Sequence, residues 1–152
     1  MTNNLVRLQY MVRCMSVMAA FEILLDFVSP ALWILTTPNS IIAKVASLSS
    51  SSEIMGCFWL IAAAMVVPFV VMQLAWPAHQ YRRQVIKLCN YGNLFGGLLW
   101  FLMAFMARNL DYGYIVPNFI VNGMGSFCMA ALLANSLNND QIEFALLPRV
   151  KP

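Results

Sequence analysis

The chain has 152 residues, of which 61% are hydrophobic and 10% are charged, with nine lysines and arginines against six aspartates and glutamates. Soluble domains carry about 25% charged residues. This composition therefore excludes a soluble monomer, a disordered chain and a conventional nucleic-acid-binding protein. Together with a mean hydropathy of +0.72, it predicts an integral membrane protein with a single domain over residues 1–152.

Four stretches are long and apolar enough to cross a bilayer, whose hydrocarbon core of about 30 Å needs roughly 20 helical residues. They do not alternate apolar and polar residues as the strands of a membrane barrel do. We therefore predict an all-α bundle of four transmembrane helices, at approximately 14–36, 54–76, 88–107 and 115–137. The first is expected to be a retained helix and not a cleaved signal peptide, with Leu5 to Met15 approaching it along the membrane surface.

Two connections on the far side of the membrane shape the predicted bundle. In the longer loop, Asn39 or Ser40 is suited to cap a short amphipathic surface helix. The apolar face of that helix would carry Ile41, Ile42, Val45 and Leu48. The second connection, residues 109–114, is short enough to force the last two helices into an antiparallel hairpin.

The distribution of basic residues predicts the orientation, because lysine and arginine concentrate in cytoplasmic segments. Only Lys44 and Arg108 fall on one side of the predicted membrane. The opposite side holds Arg7, Arg13, Arg82, Arg83, Lys87, Arg149 and Lys151. We therefore expect both termini in the cytoplasm and the chain in a bacterial inner membrane, with Arg82, Arg83 and Lys87 at anionic lipid headgroups.

Glu22 and Asp26 are the two acidic residues inside a predicted span, one helical turn apart. At 1.5 Å per residue they lie about 12 and 18 Å into the membrane. Charges at that depth are costly and normally face a bundle interior or a cavity. We therefore expect both carboxyl groups to point into the bundle, where Asn118 and Asn122 reach a similar depth.

Three roles fit such a pair of carboxyl groups. They can form a hydrogen-bonded polar layer that fixes helix register, contact a basic or polar residue of another membrane protein, or carry protons or cations. The sequence leaves these alternatives open.

A second pattern concerns close helix packing. Gly92 and Gly96 form a G-x-x-x-G motif, which lets another helix backbone approach. The fourth predicted helix has a small or polar residue at every fourth position, including Ser126 and Ala130. We expect these two faces to pack against each other within the hairpin, with packing between subunits as the alternative.

The sequence offers little for catalysis or cofactor binding. The four cysteines fall one to each apolar stretch, without C-x-x-C spacing, and His79 is the only histidine. We therefore predict no metal site and no cofactor, and we interpret the cysteines as small apolar packing residues. The four tryptophans, Trp33, Trp59, Trp76 and Trp100, are expected mostly near span ends as interface anchors.

The function expected from these patterns is that of a non-enzymatic membrane component. It would act through helix contacts as an accessory, regulatory or immunity-type part of a membrane assembly, bound to lipid and to another membrane protein or a second copy. The alternative is a small transporter or channel subunit that uses Glu22 and Asp26 as a proton or cation site. A membrane enzyme is a weaker third possibility.

Overall fold

The computed structural model describes residues 2–48, 51–75 and 81–138, and every regular element within them is helical. Four helices are long and apolar enough to cross a membrane, as predicted. The residues Trp76, His79, Arg149 and Lys151 lie outside the described part of the chain. The helices are α1 (Thr2–Thr36), α2 (Ile41–Ala46), α3 (Ser52–Ala75), α4 (Arg82–Asn109) and α5 (Val116–Asn138), with a 3-10 turn at Gly113–Ile115 before α5.

The long helices follow one another in space in the order α1, α3, α4, α5, each packed mainly against the next. Consequently α1 and α5 form the two ends of the row, and each keeps an open outer face. The first helix is longer than predicted, because the segment from Leu5 to Met15 continues into it without a break.

The short helix α2 lies in the loop where a surface helix was predicted. Its start is fixed by Ser40, whose Oγ accepts a hydrogen bond from the Ala43 N–H at 3.2 Å. Val45 is fully buried, and the half-buried Ile42 packs against the core. Ile41 and Leu48, assigned to the same face, are 36% and 50% exposed. The helix therefore packs on the bundle, against α1, α3 and α4.

An aromatic cluster in the core connects all four long helices. The rings of Phe27 in α1 and Trp59 in α3 have centroids 6.1 Å apart. Trp59 meets Trp100 in α4 edge to face at 4.7 Å, and Trp100 meets Phe119 in α5 at 5.5 Å. The interface location expected for Trp59 and Trp100 is therefore wrong, since both are buried. Trp33, 51% exposed, lies on the surface of α1.

The turn between α4 and α5 produces the predicted antiparallel hairpin. Asp111 adopts a left-handed conformation with φ 59°. The next residue, Tyr112, donates its backbone N–H to the carbonyl of Ala107 at 3.1 Å. This bond spans five residues and closes the end of α4 as in a Schellman motif, so the chain reverses direction and α5 packs along α4.

Candidate functional site

Glu22 and Asp26 are exposed on the outer face of α1. The buried side of the same helix carries Ile23 and Phe27, which are 7% and 0% exposed. The expectation that the two carboxyl groups point into the bundle is therefore wrong. It rested on the rule that charged residues inside a membrane face the bundle interior or a cavity, and the single chain does not follow that rule at these two positions.

The asparagines expected to pair with the carboxyl groups are on a different helix at the other end of the row. Asn118 is exposed on α5 and Asn122 is half-buried there, whereas α1 packs mainly on α3 and α2. The structure therefore does not bring Asn118 and Asn122 together with Glu22 and Asp26. Among the described residues, the one interaction recorded for the two carboxyl groups is the electrostatic one between Glu22 and Asp26.

The depth of the two acidic residues makes their exposure costly. Glu22 lies at the middle of the candidate span Tyr10–Thr36, and Asp26 lies one turn further along. A charged side chain at the centre of a membrane helix costs roughly 2.5–3.5 kcal/mol on insertion scales. In the isolated chain, two such groups on an open face would carry this cost without compensation from the bundle.

The surface that surrounds the acidic residues runs along most of α1, and we call it the outer seam. Its members are spaced alternately three and four residues apart, which is the spacing of residues that meet a second helix along a coiled-coil interface. All are exposed: Met15, Met18, Glu22, Leu25, Ser29, Leu32 and Thr36, with Asp26 beside them. The acidic residues of this seam were found from the sequence, whereas its apolar members were not, because apolar residues also lie on the other sides of α1.

Gly92 and Gly96 do lie in close helix contacts, but not with α5 as expected. A methyl group on Gly92 would lie 3.0 Å from Cβ of Met65 and 3.2 Å from the carbonyl oxygen of Ala62, both in α3. At Gly96 the same methyl group would collide with the ring of Phe27 in α1. The G-x-x-x-G face of α4 therefore receives α3 and α1.

The side of α4 that meets α5 carries a different glycine. A methyl group on Gly97 would lie 3.3 Å from the ring of Phe127 and 3.4 Å from the carbonyl oxygen of Gly123. Ser126 and Ala130 are buried on α5, at 6% and 2% exposure. The Ser126 hydroxyl donates to the carbonyl of Asn122, one turn earlier, at 3.1 Å. Both residues therefore belong to helix packing within the chain.

The basic residues proposed to contact lipid headgroups lie at the start of α4. Arg83 and Lys87 are exposed one turn apart, and Arg82 is half-buried. The position at a helix end suits contacts with headgroups, and these contacts remain a prediction.

The cysteines do not form a cluster. Cys14, Cys57 and Cys128 are exposed and Cys89 is buried. The buried Asn93 donates through Nδ2 to the Cys89 carbonyl at 2.9 Å and approaches its Sγ at 3.5 Å. Within the described residues, no group of three histidine, cysteine or acidic side chains is placed to hold a metal ion.

Comparisons with family models, with curated proteins and with solved structures found no match to this chain.

Proposed function

We propose that this chain is a non-enzymatic component of a membrane assembly and acts through lateral contacts of its helices. The observation that supports this proposal is the exposure of Glu22 and Asp26 near the middle of the first span. Polar groups inside a membrane stabilise contacts between helices because lipid offers them no partner. The outer seam of α1 is the contact surface.

The alternative, a transporter or channel subunit, has less support. A proton or cation path needs carboxyl groups that line a water-filled route between helices. In the single chain both groups lie on the outside of α1. We also propose that the chain lies in a bacterial inner membrane with both termini in the cytoplasm. The distribution of lysine and arginine in the sequence supports this orientation.

Photo-crosslinking in the membranes of the source organism tests the contact surface. A photoreactive amino acid replaces Leu25 in the outer seam or, as the control, Leu132 on α5. These leucines are 59% and 63% exposed, so they are matched in exposure. The proposal predicts a discrete protein adduct of higher mass from position 25 and lipid adducts alone from position 132. Lipid adducts alone from both positions would refute it.

A further inference from the structure

The charge of the outer seam restricts what can cover it. Its spacing alone is not selective, because the exposed residues Asn118, Val121, Gly125, Cys128, Leu132 and Asn135 of α5 have the same alternation of three and four. What distinguishes α1 is the pair Glu22 and Asp26. A complementary surface must therefore offer a cation or several hydrogen-bond donors at the depth of these carboxyl groups.

A second copy of this chain does not meet that requirement. Copies of one chain share one orientation in the membrane, so two α1 helices that meet along this seam are parallel. Glu22 would then lie beside Glu22 at the same depth, which is a repulsive arrangement for two carboxylates. The nearest preceding basic residue of α1, Arg13, is nine residues before Glu22, about 14 Å along the helix axis.

Among the described residues, the other helices of a second copy supply neither a cation nor a row of donors at this depth. On α5, the exposed Asn118 is only the third residue of the helix, and the deeper Asn122 is half-buried. Within the described part of the chain, the basic residues of α4 lie in its first turns, at Arg82, Arg83 and Lys87, or near its end, at Arg108. Lys44 belongs to the short helix α2, outside the long spans. Dissolved cations and lipid headgroups are also found at the membrane surface, whereas the acidic residues lie near mid-depth.

We infer that the outer seam of α1 receives a membrane-spanning helix of a different protein that carries a lysine or arginine near the middle of the bilayer. This inference rests on the proposed function and names the partner class for the same surface. The apolar seam members above and below the acidic pair pack against that helix. Met15 and Met18 suit this role because unbranched methionine side chains adapt to irregular surfaces.

Synthetic membrane helices in phosphatidylcholine vesicles provide defined probes for this inference. Two peptides of about 23 apolar residues differ only in the central residue, which is lysine in one and leucine in the other. Energy transfer from the labelled full-length chain reports their association. The wild-type chain is expected to bind the lysine peptide at least tenfold more tightly than the leucine peptide. The double variant Glu22→Gln, Asp26→Asn should lose this preference.

A matched control alters the exposed face of α5. Asn118→Leu removes a polar side chain from that face and should leave the preference for the lysine peptide unchanged. Thermal unfolding of both variants checks that they fold. Both are expected to fold, because the altered side chains are exposed.

Two results would overturn the inference: equal binding of the two peptides by the wild-type chain, or a preference for lysine that survives in the double amide variant. Self-association of the wild-type chain that the amide variant abolishes would also overturn it, by making a second copy the occupant. Crosslinking at position 25 distinguishes failure of this inference from failure of the proposed function. If a protein adduct forms there, the contact surface still stands and only the basic partner helix is rejected.

Discussion

The ring of Phe27 on α1 occupies the space that the missing side chain of Gly96 leaves on α4. Phe27 is fully buried and also contacts Trp59 of α3. One residue of the first helix is thus fixed by both of the helices that follow it in the row. The arrangement orients α1, and with it the direction in which Glu22 and Asp26 point.

Gly96→Ala should destabilise the chain, because the new methyl group must displace a buried ring in a packed core. Overpacking of this kind costs about 1–3 kcal/mol. The matched control is Gly125→Ala on α5, where a methyl group meets nothing within 4 Å. It should be neutral or slightly stabilising, since alanine favours helix over glycine by up to about 1 kcal/mol. Thermal unfolding in detergent measures both, and equal stability of the two variants would contradict the contact.

The aromatic cluster provides a second prediction. Trp59→Ala should reduce the free energy of unfolding by about 3–5 kcal/mol, as expected for a large buried ring. Trp59→Phe should cost far less, because it keeps an aromatic ring and removes a buried indole N–H that has no partner among the described residues. Trp33→Ala, at a 51% exposed site, is the control and should have a small effect. Chemical unfolding in mixed detergent ranks the three variants, and a large loss from the phenylalanine variant would contradict this account.

The turn at Asp111 predicts a stabilising substitution. A left-handed conformation is unfavourable for most residues with a side chain, less so for aspartate, and natural for glycine. Asp111→Gly should therefore raise the free energy of unfolding by about 0.5–1 kcal/mol. Asn109→Gly, inside the last turn of α4, should instead lower it. Differential scanning calorimetry of the two variants measures whether each substitution raises or lowers stability. A loss of stability at position 111 would mean that the aspartate side chain contributes more to stability than relief of the left-handed backbone does.

We expect Glu22 and Asp26 to contribute to assembly and not to the folding of the isolated chain. The double variant Glu22→Leu, Asp26→Leu should keep or slightly raise the stability of the isolated chain, because both side chains lie on its surface. Phe27→Ala, next to Asp26 but on the buried face, should cost about 3–5 kcal/mol. Unfolding of the purified chains compares them. A double variant as unstable as the Phe27 variant would place the carboxyl groups in the packing of the chain after all.

The four long helices, the short helix capped by Ser40 and the hairpin of α4 and α5 could be predicted from sequence, since span length and turn length depend on local composition. The faces of the helices could not. On a helix that is apolar on all sides, the pattern of residues does not distinguish lipid from protein. The sequence therefore predicted close approach at Gly92 and Gly96 but assigned the wrong partner helix.

The same limit explains the error at Glu22 and Asp26. Their sequence positions predict their depth, because depth follows from the rise per residue, and that depth stays a prediction. Their direction was inferred from the cost of charge in lipid, on the assumption that the chain itself must satisfy them. The interface assignment of Trp59 and Trp100 was wrong for a related reason. It rested on their positions towards the span ends, whereas their large apolar rings fill the core.

The most direct test of the lateral-contact account is the mass of the particle that carries the chain after mild detergent extraction from membranes of the source organism. Wild type and the variant Glu22→Leu, Asp26→Leu are compared at equal expression by native mass spectrometry. We expect the wild-type chain to be extracted in a particle heavier than the single chain. We expect the variant to be extracted as a single chain. Particles of the same mass for both chains would contradict the account.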